Sequence, residues 1–384
     1  IEFCSVVSFR IDFFDSQKFF SGLLNQSRAQ LSVLNINFLH HSQMNNLPRR
    51  KVGQTALELP ILGFGGAPLG ELFERVSETQ SCQTLESAWS AGIRYYDTAP
   101  WYGHGLSEHR IGWLLRQQDP DSYICSTKVG RVYSRFRGRA KDFNGSPWAG
   151  GLPFTLKFDY TYDGILRSYE DSLLRLGLNK IDVLVIHDID LIYHRTEKHL
   201  HQRFQELESG WKALDELKRS GEIQAFGAGI NEELMIPRFL ESFPLDFFLV
   251  AMPYTLLDQE ILDDIFPKCE QLGVGVVVGA PYASGILATG AVEGAKYKYA
   301  NATPEALQKV RAIEGLCNDH QIPLKAAALQ FPLGHSLVAS IIPGAFQPAQ
   351  ALENRQLVEH PIPSAFWDAC KSANLIRSDA PLLD

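Results

Sequence analysis

Three successive apolar runs carry, at or just beyond their ends, residues able to move or steer a proton: Asp97 and Tyr102 in YYDTAPWYGHG, Lys128 in ICSTKVG and His187 in IDVLVIHD. A carboxylate, a phenol, an ammonium and an imidazole brought to one point make a proton-transfer device. An isolated phenol ionises near pH 10, so only about one per cent is phenolate at pH 8. A cation that lowers this value by about two units makes it half ionised, a gain of roughly 2.7 kcal/mol. Tyr102 is therefore the expected general acid/base and Lys128 the cation that lowers its pKa. Asp97 is expected to orient the ammonium, and His187 to hold the reacting oxygen. A Lys–Asp pair alone could be structural, and a lone Tyr in a glycine-rich loop is usually a packing residue. The four together at strand ends point to catalysis.

The elements that must position them read as alternating strands and helices. Strand-like runs occupy 61–67, 93–99, 123–129, 182–188, 223–230, 247–254, 273–280 and 338–344. Between them, stretches such as YDGILRSYEDSLLRLG and LESGWKALDELKRSG repeat apolar residues at spacings of three and four, the helical period. Eight such units predict an α/β protein folded as a single (β/α)8 TIM barrel, with its chemistry at the C-terminal strand ends. Alternation by itself also fits an open doubly wound sheet. Ahead of the barrel, RKVG and LELP flank Gln54 and Thr55 and predict a short hairpin.

Two connections, 130–160 and 189–206, are too long for ordinary turns and are expected on the catalytic face, where long loops are often lids. The basic run Arg131, Arg135, Arg137, Arg139 and Lys141 reads as a solvated loop, because no glycine-rich helix entry follows to make a phosphate site. His194, His199 and His201 lack metal-ligand spacing and read as surface histidines.

Composition narrows the classes. A net charge of −8 spread over 384 residues leaves no basic footprint for nucleic acid. The six cysteines form no CxxC or Cys/His pattern, so no metal is expected and a reducing cytoplasm is favoured. The opening IEFCSVVSFRIDFFDSQKFF lacks a basic start, and Arg10, Asp12 and Asp15 break its apolar runs. It matches neither a signal nor a transit peptide, and no run approaches the roughly 18 apolar residues of a membrane span. Residues 1–43 are read as an extension and 44–384, beginning MNNLPRRKVG, as the single barrel domain.

With GFGGAPLG, GIRYYDTAPWYGHGLSEHRIGWLL, RSYEDSLLRLGLNKIDVLVIHD and IIPGAFQPAQALEN in view, the chain resembles the aldo-keto reductases from about Lys51 to Leu357. Asp97, Tyr102, Lys128 and His187 fall on that family's four catalytic positions. The resemblance implies a barrel plugged by the leading hairpin and a nicotinamide dinucleotide across its mouth, with Glu353 and Asn354 at the adenine positions. The family's usual Ser-Asn after the fifth strand is replaced by Gly229 and Ile230, with Asn231 one residue on. Its usual Gln of the sixth strand is Ala251, and its nicotinamide-stacking aromatic gives way to Gly279, Ala280 and Pro281. The places that grip the 2'-phosphate of NADP hold Gly344, Ala345 and Gln350. NAD is thus the expected cofactor, with NADP as a weaker one. These features resemble the branch that oxidises aldoses or pyridoxal, implying removal of hydride from a cyclic hemiacetal to give a lactone, with Trp101, Trp148 and Phe154 as candidates to stack on the substrate. The alternatives are an aldehyde or ketone reductase and, in another class, a cofactor-sensing regulatory subunit. A monomer or weak dimer is expected from the family.

Overall fold

The computed structural model describes residues 46–383; the expected extension, 1–43, lies outside them. Strands β1 (Arg49–Lys51) and β2 (Glu58–Pro60) form an antiparallel hairpin, with Arg50 opposite Leu59. Next come β3 (Phe64–Gly65), β4 (Tyr95–Asp97) and β5 (Ile124–Val129), then a separate antiparallel pair, β6 (Arg131–Arg135) and β7 (Phe154–Phe158). After these follow β8 (Val183–His187), β9 (Ala225–Ile230), β10 (Phe247–Val250) and β11 (Gly275–Gly279). A small pair, β12 (Lys296–Tyr297) and β13 (Ala300–Asn301), precedes β14 (Val338–Ile342).

Eight strands join in the order β3-β4-β5-β8-β9-β10-β11-β14, every neighbour parallel. Parallel bridges from Leu62 to Ile341 and from Gly65 to Gly344 bring the last strand back beside the first, closing a (β/α)8 barrel rather than an open sheet. Each of the eight expected runs contributes one strand.

The period of two along a strand separates two cores. Tyr95, Ile124, Val183, Val185, Ala225, Phe247, Leu249 and Val277 point inward and pack with Val52, Leu57 and Leu59 of the leading hairpin. Their sequence neighbours Tyr96, Cys125, Leu184, Ile186, Phe226, Phe248, Val276 and Val278 point outward, into the core shared with the helices. The hairpin turn seals the N-terminal end. Gly53 there has φ 52°, and a Cβ on it would lie 2.5 Å from the Asp246 carbonyl just before β10.

The helices follow from the sequence in the same way. Thr161 caps the helix Tyr162–Leu176 by accepting from the Gly164 amide, Ile165, Tyr169 and Leu176 supply its buried stripe, and Gly177 at φ 65° ends it.

The two long connections are more regular than expected. Residues 189–206 include a short helix, Leu191–His194, and the first turns of a long one, Glu197–Arg219, which Thr196 caps. His199 and His201 are exposed on the long helix, but His194 is buried beside Phe158 and Tyr160, at ring distances of 4.5 and 6.0 Å. Loss of hydration pushes its pKa down to about 4. Residues 130–160 contain the β6–β7 pair, and Arg131, grouped by sequence with solvated cations, is buried.

Candidate active site

Strand parity explains why the four reactive residues meet. Asp97 shares the inward face of β4 with Tyr95, Lys128 that of β5 with Ile124, and His187 that of β8 with Val183 and Val185. Each is the uppermost inward position of its strand, so side chains far apart in sequence converge at the C-terminal mouth. The corresponding positions on β9, after β10 and on β11 are Gly229, Ala251 and Gly279. Three reactive side chains on one half of the mouth thus face three minimal ones on the other, which hollows it.

Lys128 Nζ donates to Asp97 Oδ2 at 2.6 Å and to the Thr98 carbonyl at 2.8 Å, and Ser126 Oγ donates to Asp97 Oδ1 at 2.7 Å. The ammonium also lies over the Tyr102 ring, 4.6 Å from its centroid. Tyr102 and His187 meet edge to face with ring centroids 5.9 Å apart. Arg131 Nη1 donates to His187 Nδ1 at 2.7 Å, and its Nη2 lies 2.8 Å from Asp188 Oδ2. Asp188 has φ 57°, a left-handed conformation unusual for a residue with a side chain. Asn231 Nδ2 donates to Asp188 Oδ1 at 3.0 Å and to Asp190 Oδ2 at 2.9 Å.

Electrostatics correct one expectation. The sequence leads one to expect that Lys128 draws the Tyr102 phenol toward neutrality, yet the phenol lies well above its ordinary value. Part of the ring borders a cleft, but burial dominates, the Asp97 and Asp188 carboxylates add to the rise, and Arg131 opposes it. The charge of Lys128 is engaged by Asp97 at contact distance, so the phenol meets a compensated pair rather than a bare cation. The His187 imidazole lies far below its usual value, through burial first and then the Arg131 and Lys128 cations, and is neutral.

Two adjoining cavities open at the mouth. One, of about 320 Å³, runs past Gly65, Gly66 and Tyr102 to Ala280, Gly344, Gln350, Glu353 and Asn354. The other, of about 260 Å³, is walled by Trp101, Trp148, Tyr193, Tyr299, His187 and Asp188, with Tyr102 again. Of the residues expected at a cofactor, Gly229 and Asn231 border this second cavity instead. Of those expected at a substrate, Trp101 and Trp148 line it, whereas Phe154 does not; it sits on β7 against Tyr133, ring centroids 5.6 Å apart.

Sequence reasoning missed Arg131, Asp188, Tyr193, Tyr299, Phe73 and Lys325, all at this mouth. Asp188 had a local signal, being adjacent to His187 in the motif. Tyr299 had none: it is carried by the loop between β12 and β13, and it borders both cavities.

The first of these cavities could hold a dinucleotide. Its floor is mostly backbone, at Gly65, Gly66, Ala67, Gly279, Ala280 and Gly344, so an extended ligand can lie close against the chain. Its far end offers Glu353 and Asn354, an acceptor and an amide suited to an adenine edge.

A model of the aldo/keto reductase family matches residues 61–375. Pyridoxal 4-dehydrogenase of Microbacterium luteolum is 39% identical over 335 residues, 85% of this chain and 98% of that protein. D-threo-aldose 1-dehydrogenase of a Pseudomonas species is 35% identical, over 83% of this chain and 95% of that one. Among solved structures, the holo form of an aldo-keto reductase from Bacillus halodurans shares the fold with a TM-score of 0.67 at 24% identity, covering 88% of this chain and 99% of its own.

Proposed function

The chain belongs to the aldo-keto reductase family, and from that premise we propose that it is a nicotinamide-dependent dehydrogenase of cyclic hemiacetals, with a flat aromatic hemiacetal such as that of pyridoxal preferred over an aldose. The observation that carries this reading is the place of Tyr102 in the wall common to the two cavities, one lined by glycines together with Glu353 and Asn354 and one walled by aromatic rings. When bound, the dinucleotide supplies a hydride acceptor. Tyr102 takes the hydroxyl proton as hydride leaves the carbon, and His187 donates to the same oxygen.

The preference for an aromatic substrate rests on what the second cavity offers. Trp101, Trp148, Tyr193, Tyr299 and Phe73 give faces on which a flat ring can stack. Apart from the reacting groups, its acidic and amide side chains, Asp188 and Asn231, are bonded to each other. A sugar bearing several further hydroxyls would have to find partners among the indole and phenol tips of those same rings, and each hydroxyl left without one costs roughly 1–3 kcal/mol.

A preference for NAD has similar support. Glu74 and Glu353 border the first cavity, and the one lysine lining it among the described residues, Lys325, is held by both Glu353 oxygens at 2.9 Å. Gln350 is occupied in accepting the Phe346 and Gln347 amides, and Arg355 is buried against Glu359. A 2'-phosphate arriving here meets carboxylates and no unengaged lining lysine.

One steady-state experiment tests both parts: kcat/KM for pyridoxal and for a panel of aldoses, each with NAD and with NADP. Pyridoxal with NAD is expected to be the best pair. An aldose ahead of pyridoxal would reverse the substrate preference, a ratio favouring NADP would reverse the cofactor preference, and no hemiacetal turnover at all would sink the reading.

A further inference from the structure

The turn that leads out of β5 places a cation where the reaction needs none by charge alone. Gly130 adopts φ 97°, and Arg131, the first residue of β6, points back into the barrel mouth with its side chain 4% exposed. Three rings surround the guanidinium, Phe158 at 4.7 Å, Trp101 at 5.0 Å and Tyr193 at 5.0 Å from ring centroid to Cζ. Such faces hold a weakly hydrated guanidinium far better than they would hold an ammonium.

We propose that Arg131 is the positioning residue of His187, fixing the imidazole as the neutral tautomer whose proton sits on Nε2. The argument is one of donors and acceptors. A guanidinium has N–H groups only, so the His187 Nδ1 that receives Arg131 Nη1 at 2.7 Å must present a lone pair. The single proton of a neutral ring is then on Nε2. Burial and the two nearby cations keep the ring neutral, which closes the alternative of a doubly protonated imidazole.

The other end of the guanidinium has a second task. Asp188 Oδ2 lies 3.2 Å from His187 Nε2 and could capture its proton. Arg131 Nη2 lies 2.8 Å from that same oxygen as an ion pair without hydrogen-bond alignment, and Asn231 donates to the other one, so the charge of the carboxylate is countered before it competes with substrate. The opposite tautomer would turn a lone pair toward the hemiacetal hydroxyl and compete with Tyr102 for its proton instead of donating to its oxygen. Lysine cannot substitute, because a single ammonium cannot span both partners in the fork geometry.

This inference rests on the hemiacetal reading for its consequence in turnover, but its core is a statement about one proton. The full chain with 15N-labelled histidine, studied by long-range 1H–15N correlation, reads that proton directly, with the His187 signal assigned by its loss in His187→Gln. The wild type is expected to show protonated Nε2 and bare Nδ1. Arg131→Lys keeps a positive charge opposite Asp188 and so guards the fold; it should mix or invert the pattern and lower kcat by on the order of tenfold to a hundredfold with little change in KM for NAD. A wild-type His187 protonated on Nδ1, or a folded Arg131→Lys enzyme with unchanged kcat, would overturn the proposal. If Arg131→Lys fails to fold, the wild-type spectrum alone decides. A wild type with protonated Nε2 that turns over no hemiacetal would leave the assignment of Arg131 standing and overturn the substrate reading instead.

Discussion

A phenol raised above its ordinary pKa holds its proton at neutral pH, which gives Tyr102 a direction. As the proposed acid/base, it would be ready to donate in the reductive sense and would first have to lose a proton in the oxidative sense. The rate of hemiacetal oxidation should therefore climb with pH through 7 to 10 without levelling, while reduction of the matching carbonyl should slow. Tyr102→Phe keeps the ring over which Lys128 sits but removes the proton carrier. It should bind NAD almost normally and lose turnover by on the order of a hundredfold or more, together with the pH slope. A variant retaining a tenth of wild-type turnover, or the same slope, would move the acid/base role elsewhere.

Among the elements, the β6–β7 pair is the one whose geometry reaches furthest into the site. A Cβ on Gly130 would lie 2.2 Å from the Tyr160 ring, in a left-handed backbone that a side chain resists. Tyr160 in turn donates to the His187 carbonyl at 2.6 Å. Gly130→Ala should lower the melting temperature by an amount corresponding to about 1–3 kcal/mol and should also cost turnover, since it displaces Arg131 at the next position. A thermal melt and kcat on the same preparation check this, and a variant matching wild type in both would show that the turn relaxes freely. The contrast with β4, β5 and β8 shows what is legible in the sequence. Those strands are apolar runs whose inward parity follows from a period of two, so the residue pattern alone is enough to bring Asp97, Lys128 and His187 together. It is not enough for Arg131, which begins a half-exposed strand in a basic stretch. Only its pairing with Phe158 and the bend at Gly130 turn it inward. Gly229, Ala251 and Gly279 are visible in the sequence only as departures from a family pattern; their shared role, leaving the mouth hollow, needs the strand register.

At the scale of the whole molecule, burial has left many imidazoles hard to protonate. The buried His104, His187, His194 and His335 are all lowered, each chiefly by loss of hydration. Below about pH 6.5 the unfolded chain takes up protons that these sites refuse, so acid favours unfolding. Asp188, and Asp190 at about 6, act in the opposite sense, because burial has raised them and the folded state binds their protons first. Four sites against two predict a melting temperature that falls from pH 7 to pH 5, and a flat or rising profile would show the carboxylates to prevail. The leading hairpin carries a different consequence. Among the described residues, Val52, Leu57 and Leu59 fill the N-terminal end of the barrel and leave its C-terminal mouth as the doorway. Tyr102, Tyr299 and Phe73 border both chambers behind it, so the two ligands share a threshold. With a dinucleotide in one chamber and a hemiacetal in the other, traffic through a shared threshold should run as a queue, and product-inhibition patterns with the two products would read which ligand enters first and which leaves last.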